Sequence, residues 1–216
     1  MLVTSQCRYY PSSARQEHGS RTPRYWDSYK HAIAVKSASV NGYYSFPVAA
    51  GGYVKVSNSN IAMGRYLFGD WLGGQIESVG YDPLLVPIPS SKDGLVDAKD
   101  FRSFQMTRTA ATRIAGAIVA PVLRFKTASQ QRSRSIAALE ANMVVLQPPP
   151  GKRVILVDDV LTTGAHLLAA ERVLKREGIH VAAAYVCGRT VYDQTPPAFL
   201  TEAEELRDPV SIFFGS

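Results

Sequence analysis

One run of residues constrains this chain more than any other: Val154-Ile155-Leu156-Val157-Asp158-Asp159-Val160-Leu161-Thr162-Thr163-Gly164-Ala165-His166. Four consecutive apolar residues predict a strand covered on both faces, as in a parallel sheet. Two carboxylates stand at its carboxyl end, and a hydroxyl-rich turn with Gly164 opens into helical spacing from Ala165 to Glu177, closed by Gly178. Strand, tight turn and helix in that order make half of a βαβ unit.

The same alternation surrounds it. Leu84 to Ile88 is a short, nearly all-apolar run that ends at Pro89-Ser90-Ser91-Lys92, followed by a polar loop to Asp100. Phe104 to Ala120 carries helical spacing through Ala110, Ile114, Ala117 and Ile118; Pro121 stops it, and Val122 to Phe125 predicts the next strand. The polar segment Lys126 to Ser135 leads to an apolar stretch near Asn142 to Leu146. Pro148-Pro149-Pro150-Gly151 is a break, and Val181 to Cys187 predicts a strand after the Ala165 helix. Strands alternating with helices imply right-handed crossovers and an α/β fold: an open, mostly parallel sheet flanked by helices. Such sheets bind ligands at the carboxyl ends of their strands.

Toward the N-terminus the texture differs. Cys7 to Lys30 is rich in Arg, Ser, Tyr and Pro without clear periodicity, which predicts an irregular arm over residues 1–30 and no chemistry there. Short apolar stretches at His31 to Val35 and Tyr53 to Val56, with Asn41-Gly42 and Gly51-Gly52 between them, predict a small β-rich extension. Asn58 or Asn60 then caps a helix carrying Ile61, Leu67, Phe68, Trp71, Leu72 and Ile76, interrupted near Gly73-Gly74. Residues 31–216 are expected to form a single domain, since 216 residues suffice for one good-sized core.

Composition narrows the function classes. Hydrophobic residues at 46% and charged residues at 19% are the balance of a soluble globular protein. No apolar run approaches the ~20 residues that cross a bilayer, and Met1 to Tyr10 does not read as a secretory signal. Only Cys7 and Cys187 are present, which excludes a disulfide framework or a Cys-rich zinc site and points to a reducing cytoplasm. The net charge of +6 favours anionic partners, with phosphorylated small molecules and nucleic acid both admitted, or else serves solubility alone.

The chemistry of the Val154–His166 run suits a phosphorylated sugar. Amides exposed at a helix start, together with the hydroxyls of Thr162 and Thr163, can surround a phosphate dianion, and Gly164 lets the backbone come close. Asp158 and Asp159 can accept hydrogen bonds from two vicinal sugar hydroxyls. No Gly-rich loop ending in Gly-Lys-Thr or Gly-Lys-Ser precedes the run, which disfavours a nucleotide hydrolase.

The run resembles the phosphoribosyl pyrophosphate signature of type I phosphoribosyltransferases, departing from it at His166, where that family usually has a small hydroxyl residue. The resemblance implies that Asp158, Asp159, Val160, Leu161, Thr162, Thr163, Gly164, Ala165 and His166 bind the ribose 5-phosphate. It implies that Ser90, Ser91 and Lys92, after the Leu84–Ile88 strand, receive the pyrophosphate as charge develops on it. The order of the pieces looks most like the ComF branch: Arg102-Ser103-Phe104-Gln105 is similar to its Arg-Gly-Phe-Asn stretch, Arg124-Phe125-Lys126-Thr127 with Gln130 to its basic strand, and Asn142 to its Asn. The branch's N-terminal Cys-rich zinc unit is missing.

The resemblance further implies a lid over Lys126 to Arg134, with Lys126, Arg132 and Arg134 on the pyrophosphate and water excluded on closure. It implies Mg2+ bridging the pyrophosphate and ribose hydroxyls, reached by Asp158 and Asp159 directly or through water. The reaction expected is transfer of a phosphoribosyl group to a nitrogen nucleophile, with Asp158, Asp159 and Lys92 as the catalytic set. The acceptor is placed against the β-rich unit or the C-terminal tail, where Tyr192, Phe199 and Phe213 can either stack on a base or pack structurally. A homodimer is compatible with this reading. The alternative is a non-catalytic sensor of phosphoribosyl pyrophosphate or a nucleotide, acting through a protein or nucleic-acid partner; fold does not decide between them.

Overall fold

The computed structural model describes residues 1–13, 19–77, 84–90, 94–128, 135–147, 153–194 and 196–207. Ser91, Lys92, Gln130, Arg132, Arg134 and Phe213 lie outside the described residues.

A six-stranded sheet in the order β10-β1-β9-β8-β4-β5 forms the centre. Its strands are β1 (Leu2–Tyr9), β4 (Leu84–Pro87), β5 (Ile118–Val119), β8 (Arg153–Leu161), β9 (His180–Thr190) and β10 (Glu202–Glu205). All neighbouring pairs are parallel except β1 with β10. The α/β architecture with a mostly parallel sheet is therefore the one expected. Helices cover both faces: α1 (Pro23–Ser37), α2 (Ala62–Glu77) and α3 (Arg102–Ala111) on one, α4 (Ile136–Asn142) and α5 (Ala165–Arg176) on the other. Two ribbons stand outside the sheet: β2 (Tyr43–Val48) with β3 (Gly52–Ser57), and β6 (Leu123–Phe125) with β7 (Met143–Val145).

The β8 centre is buried because its two neighbours and both helix layers exclude water. Val154 and Leu156 join the α5-side core with Leu167, Ala170 and Leu174, while Ile155 and Val157 join the opposite core with Val35, Phe68 and Met106. Period-two alternation thus feeds two separate cores from one apolar run.

Four expectations are corrected. Residues 1–30 are not an irregular arm: Leu2–Tyr9 is a strand between β9 and β10, and α1 begins at Pro23. The strand escapes pattern reading because its buried residues include Thr4, Ser5 and Gln6. Gln6 is satisfied by His31, which meets its Oε1 at 2.8 Å, and by Leu67 O, to which it donates at 3.1 Å. Residues His31 to Val35 are helical, so the β-rich unit reduces to the β2–β3 hairpin. Helical spacing from Phe104 ends at Ala111, after which the chain turns through i to i−3 bonds at Thr112, Arg113 and Ile114 and reaches the edge strand β5. The α2 helix, by contrast, runs through Gly73-Gly74 without interruption.

Candidate functional site

Parallel strands bring their carboxyl ends to one side, and there the sequence has placed its polar residues. β8 continues past its apolar half through Asp158, Asp159, Val160 and Leu161, then turns at exposed Thr162 and Thr163 into α5. Gly164 caps α5 with φ 77° and ψ 0°, in the left-handed region that disfavours any other residue. A Cβ there would lie 2.7 Å from Leu206 Cδ1, the movable end of a side chain, so it is the backbone conformation that requires glycine.

The amides of the first turn of α5 lack helical acceptors by construction. Ala165 N–H donates to Thr163 Oγ1 at 3.4 Å, a long bond that an anion could displace. Thr162 Oγ1 lies 3.2 Å from Thr190 Oγ1, and Arg189 donates Nη1 to Thr162 O at 2.7 Å while pairing with Glu204 at 2.5 Å. The turn is thus braced from β9. His166, expected either on the anion or in solvent, is half-buried with its ring edge-on to Phe125, 6.2 Å between centroids.

The two carboxylates are not equivalent. Asp158 Oδ1 accepts the N–H of Asp159 at 2.8 Å, and burial, then the neighbouring Asp159 charge, pushes the Asp158 carboxyl well above the usual range. Asp159 Oδ2 receives the ammonium of Lys36 at 2.6 Å, from the last turn of α1. The pairing ladder passes over this row: Ser5 pairs with Val186 and Asp158 with Val186, then Cys7 and Val160 pair with Gly188, leaving Gln6, Asp159 and Cys187 between the rungs. Tyr9, at the end of β1, stacks on Tyr29 of α1 at 5.3 Å; its hydroxyl is pushed up to about 12, chiefly by burial and next by Tyr29.

β4 adjoins β8, so its carboxyl end falls beside these groups: Ile88 N–H donates to Val157 O at 3.0 Å, and half-buried Ser90 follows. Ser90 O accepts the N–H of Gly94 at 2.8 Å; Ser91 and Lys92, expected on the pyrophosphate, lie outside the described residues. Ser103 of the Arg102–Gln105 stretch donates to Ile88 O, which ties the start of α3 to the end of β4. The Phe125 main chain bridges to the segment 94–96, its carbonyl accepting Val96 N–H and its N–H donating to Gly94 O. Lys126 is turned the other way, its ammonium on Ala141 O at 2.8 Å, and Asn142 holds Thr127 through Oδ1 and Nδ2.

Of the aromatic candidates, Tyr192 is exposed, whereas Phe199 packs on Phe46 at 5.1 Å and His31 at 6.1 Å. Phe199 is therefore a packing residue. Sequence reading missed Lys36, Tyr9, Arg189 and Leu206. A basic residue in the last turn of a helix was the one available signal for Lys36, and it required recognising α1.

A stretch of 74 residues is 45% identical to an adenine phosphoribosyltransferase of Clavibacter michiganensis subsp. michiganensis, covering 34% of this chain and 39% of that protein. Over this stretch the chain is similar to type I phosphoribosyltransferases. The adenine phosphoribosyltransferase of Clavibacter sepedonicus matches with the same identity and length, over 36% of its own chain. The chain thus spans well under half the length of the curated relatives it matches. Among solved structures, an adenine phosphoribosyltransferase is 15% identical with a TM-score of 0.43, covering 74% of this chain and 89% of that one. The orotate phosphoribosyltransferase from Aeropyrum pernix is 18% identical with a TM-score of 0.35, covering 72% and 79%. No family model matches the chain. Among the described residues no helix is long and apolar enough to cross a membrane.

Proposed function

We propose that this chain binds phosphoribosyl pyrophosphate and transfers its phosphoribosyl group to a nitrogen nucleophile. The observation that carries the reading is the junction of β8 and α5: carboxylates, threonine hydroxyls and the amides of a helix start follow one another within one turn, next to the end of β4. The amides of Ala165 and His166 and the hydroxyls of Thr162 and Thr163 take the 5′-phosphate. Asp159 accepts from a ribose hydroxyl, and Asp158, whose carboxyl favours its proton, can also donate to one. Ser90, with Ser91 and Lys92, takes the pyrophosphate, and Lys126 and Arg132 are the further cations proposed for it.

The chemical step forms a bond from the acceptor nitrogen to the anomeric carbon as the bond to pyrophosphate oxygen breaks, the electron pair leaving with pyrophosphate. The nitrogen then loses a proton to solvent. Orientation is the chain's main contribution, since charge spreads over the sugar and leaving group rather than onto a side chain. Adenine is the first acceptor to test, because the matched relatives are named for it.

Magnesium, which the resemblance implies, does not fit as a direct ligand of the carboxylate pair. Asp159 Oδ2 is held by Lys36 and Asp158 Oδ1 by a backbone amide, and among the described residues no three His, Cys, Asp or Glu side chains converge.

Isothermal titration with phosphoribosyl pyrophosphate, followed by a pyrophosphate-release screen over purines, pyrimidines and amines, tests the proposal. Replacing both Asp158→Asn and Asp159→Asn is expected to weaken binding at least a hundredfold while leaving the melting transition cooperative. Unchanged affinity refutes the site; tight binding without pyrophosphate release with any acceptor identifies a sensor instead of a transferase.

A further inference from the structure

A cation is already built into the sugar end of the candidate site. Lys36 lies at the end of α1, where the helix dipole favours positive charge. Its main chain is pinned: the buried guanidinium of Arg65, from α2, donates Nε to Val35 O at 2.9 Å and Nη2 to Lys36 O at 3.4 Å. The next turn is fixed as well. Ala38 adopts the left-handed conformation and returns its N–H to Ala34 O at 2.9 Å, and Val40 N–H donates to Asn58 Oδ1 at 2.9 Å. A surface lysine with this charge partner but a free backbone would contribute little. Here both ends are held, and the ammonium meets a carboxylate only 18% exposed at 2.6 Å.

We propose that Lys36 is the resident cation of the sugar subsite: it keeps Asp159 aimed at the sugar hydroxyls, so a phosphorylated pentose is seated there without a divalent metal. This rests on the phosphoribosyl reading above. Lys36 acts as a positioning residue through Asp159, and its ammonium takes one of that carboxylate's two oxygens. Any metal required for the full co-substrate then belongs to the pyrophosphate end, carried by the ligand's own oxygens.

The test is titration of ribose 5-phosphate, which lacks the pyrophosphate, into the full chain in EDTA and in magnesium chloride. The wild-type dissociation constant is expected to agree between the two buffers within about twofold. Lys36→Met weakens binding in EDTA by about tenfold, the effect of one charge-assisted contact, with part of the loss restored by magnesium, and Lys36→Arg stays within about threefold of wild type. Melting curves of both variants check folding, and Lys36→Gln replaces Lys36→Met should the latter fail to fold. A wild type that binds ribose 5-phosphate only with magnesium overturns the inference, as does a folded Lys36→Met chain that binds like wild type in EDTA. A wild type that binds ribose 5-phosphate in neither buffer, and phosphoribosyl pyrophosphate in neither, overturns the phosphoribosyl reading itself.

Discussion

On the α4–α5 side of the sheet, Val154, Leu156, Ala184 and Val186 pack among Leu167, Ala169, Ala170 and Leu174. On the other side the helix layer buries Ser28, His31, Arg65, Ser103 and Thr107, and β1 adds Gln6. The first side is held by volume and shape, which many sequences satisfy; the second adds to its apolar core a set of partners that must each be present. His31 bridges Tyr44 at 3.0 Å and Gln6 at 2.8 Å; Thr107 donates to Ser103 O at 2.8 Å; Cys187 donates to Gln6 Oε1 at 3.8 Å. It is this side that delivers Lys36 to Asp159. Placement of charge at the site therefore depends on the polar layer, and the strand beneath it on the apolar one.

The sharpest difference lies in truncation. Leu156→Ala, in the apolar side, leaves a cavity and is expected to cost about 2–5 kcal/mol, read as a lower denaturation midpoint with unchanged pH dependence. A smaller but still large effect is expected where α2 crosses α3: a Cβ at Gly69 would land on the Ala110 carbonyl, so Gly69→Ala costs about 1–3 kcal/mol. A chemical melt showing no loss would mean that the crossing is not tight.

Acid separates the two sides further. Burial lowers the His31 pKa from 6.5 to about 3, so the folded chain keeps it neutral while the unfolded chain protonates. Stability from this group is complete above pH 6.5 and falls as pH drops from 6.5 toward 3, by up to about 1.4 kcal/mol per pH unit. His31→Gln removes that slope; parallel stability-against-pH curves for variant and wild type would count against the buried network. The smallest effect is expected at Glu140, which ties α4 to α5 through Arg172 at 3.1 Å and Arg176 at 3.3 Å. Glu140→Gln should cost under about 1 kcal/mol by thermal melt, because both arginines are substantially exposed.

The same contrast explains what could be read in the amino-acid order. Val154 to Val157, Leu84 to Ile88 and the α5 stripe declare themselves because apolar burial repeats at a fixed period, and the Asp158–Gly164 turn follows directly from them. β1 and α1 do not: Ser5, Gln6 and His31 are buried as hydrogen-bonded groups with Thr4 buried beside them, and in sequence all four look like surface. That is why a central strand resembled an arm. The carboxylates and the glycine turn of the candidate site were legible as local sequence, whereas Lys36, Tyr9 and Leu206 come to it from distant segments and no short-range pattern records them. Lys126 matched in type, yet its ammonium caps the end of α4 in this conformation.

Leu206 lies against Gly164, and its N–H donates to Met1 O at 2.9 Å, so the main chain at position 1 and a side chain beyond β10 meet over the turn that opens α5. The curvature of that turn is consequently moulded by residues a whole sheet-width away in connectivity. On the proposed function, clipping the segment at 202–207 or enlarging residue 206 is expected to alter phosphate affinity, read by titration, without changing any group proposed to contact the phosphate.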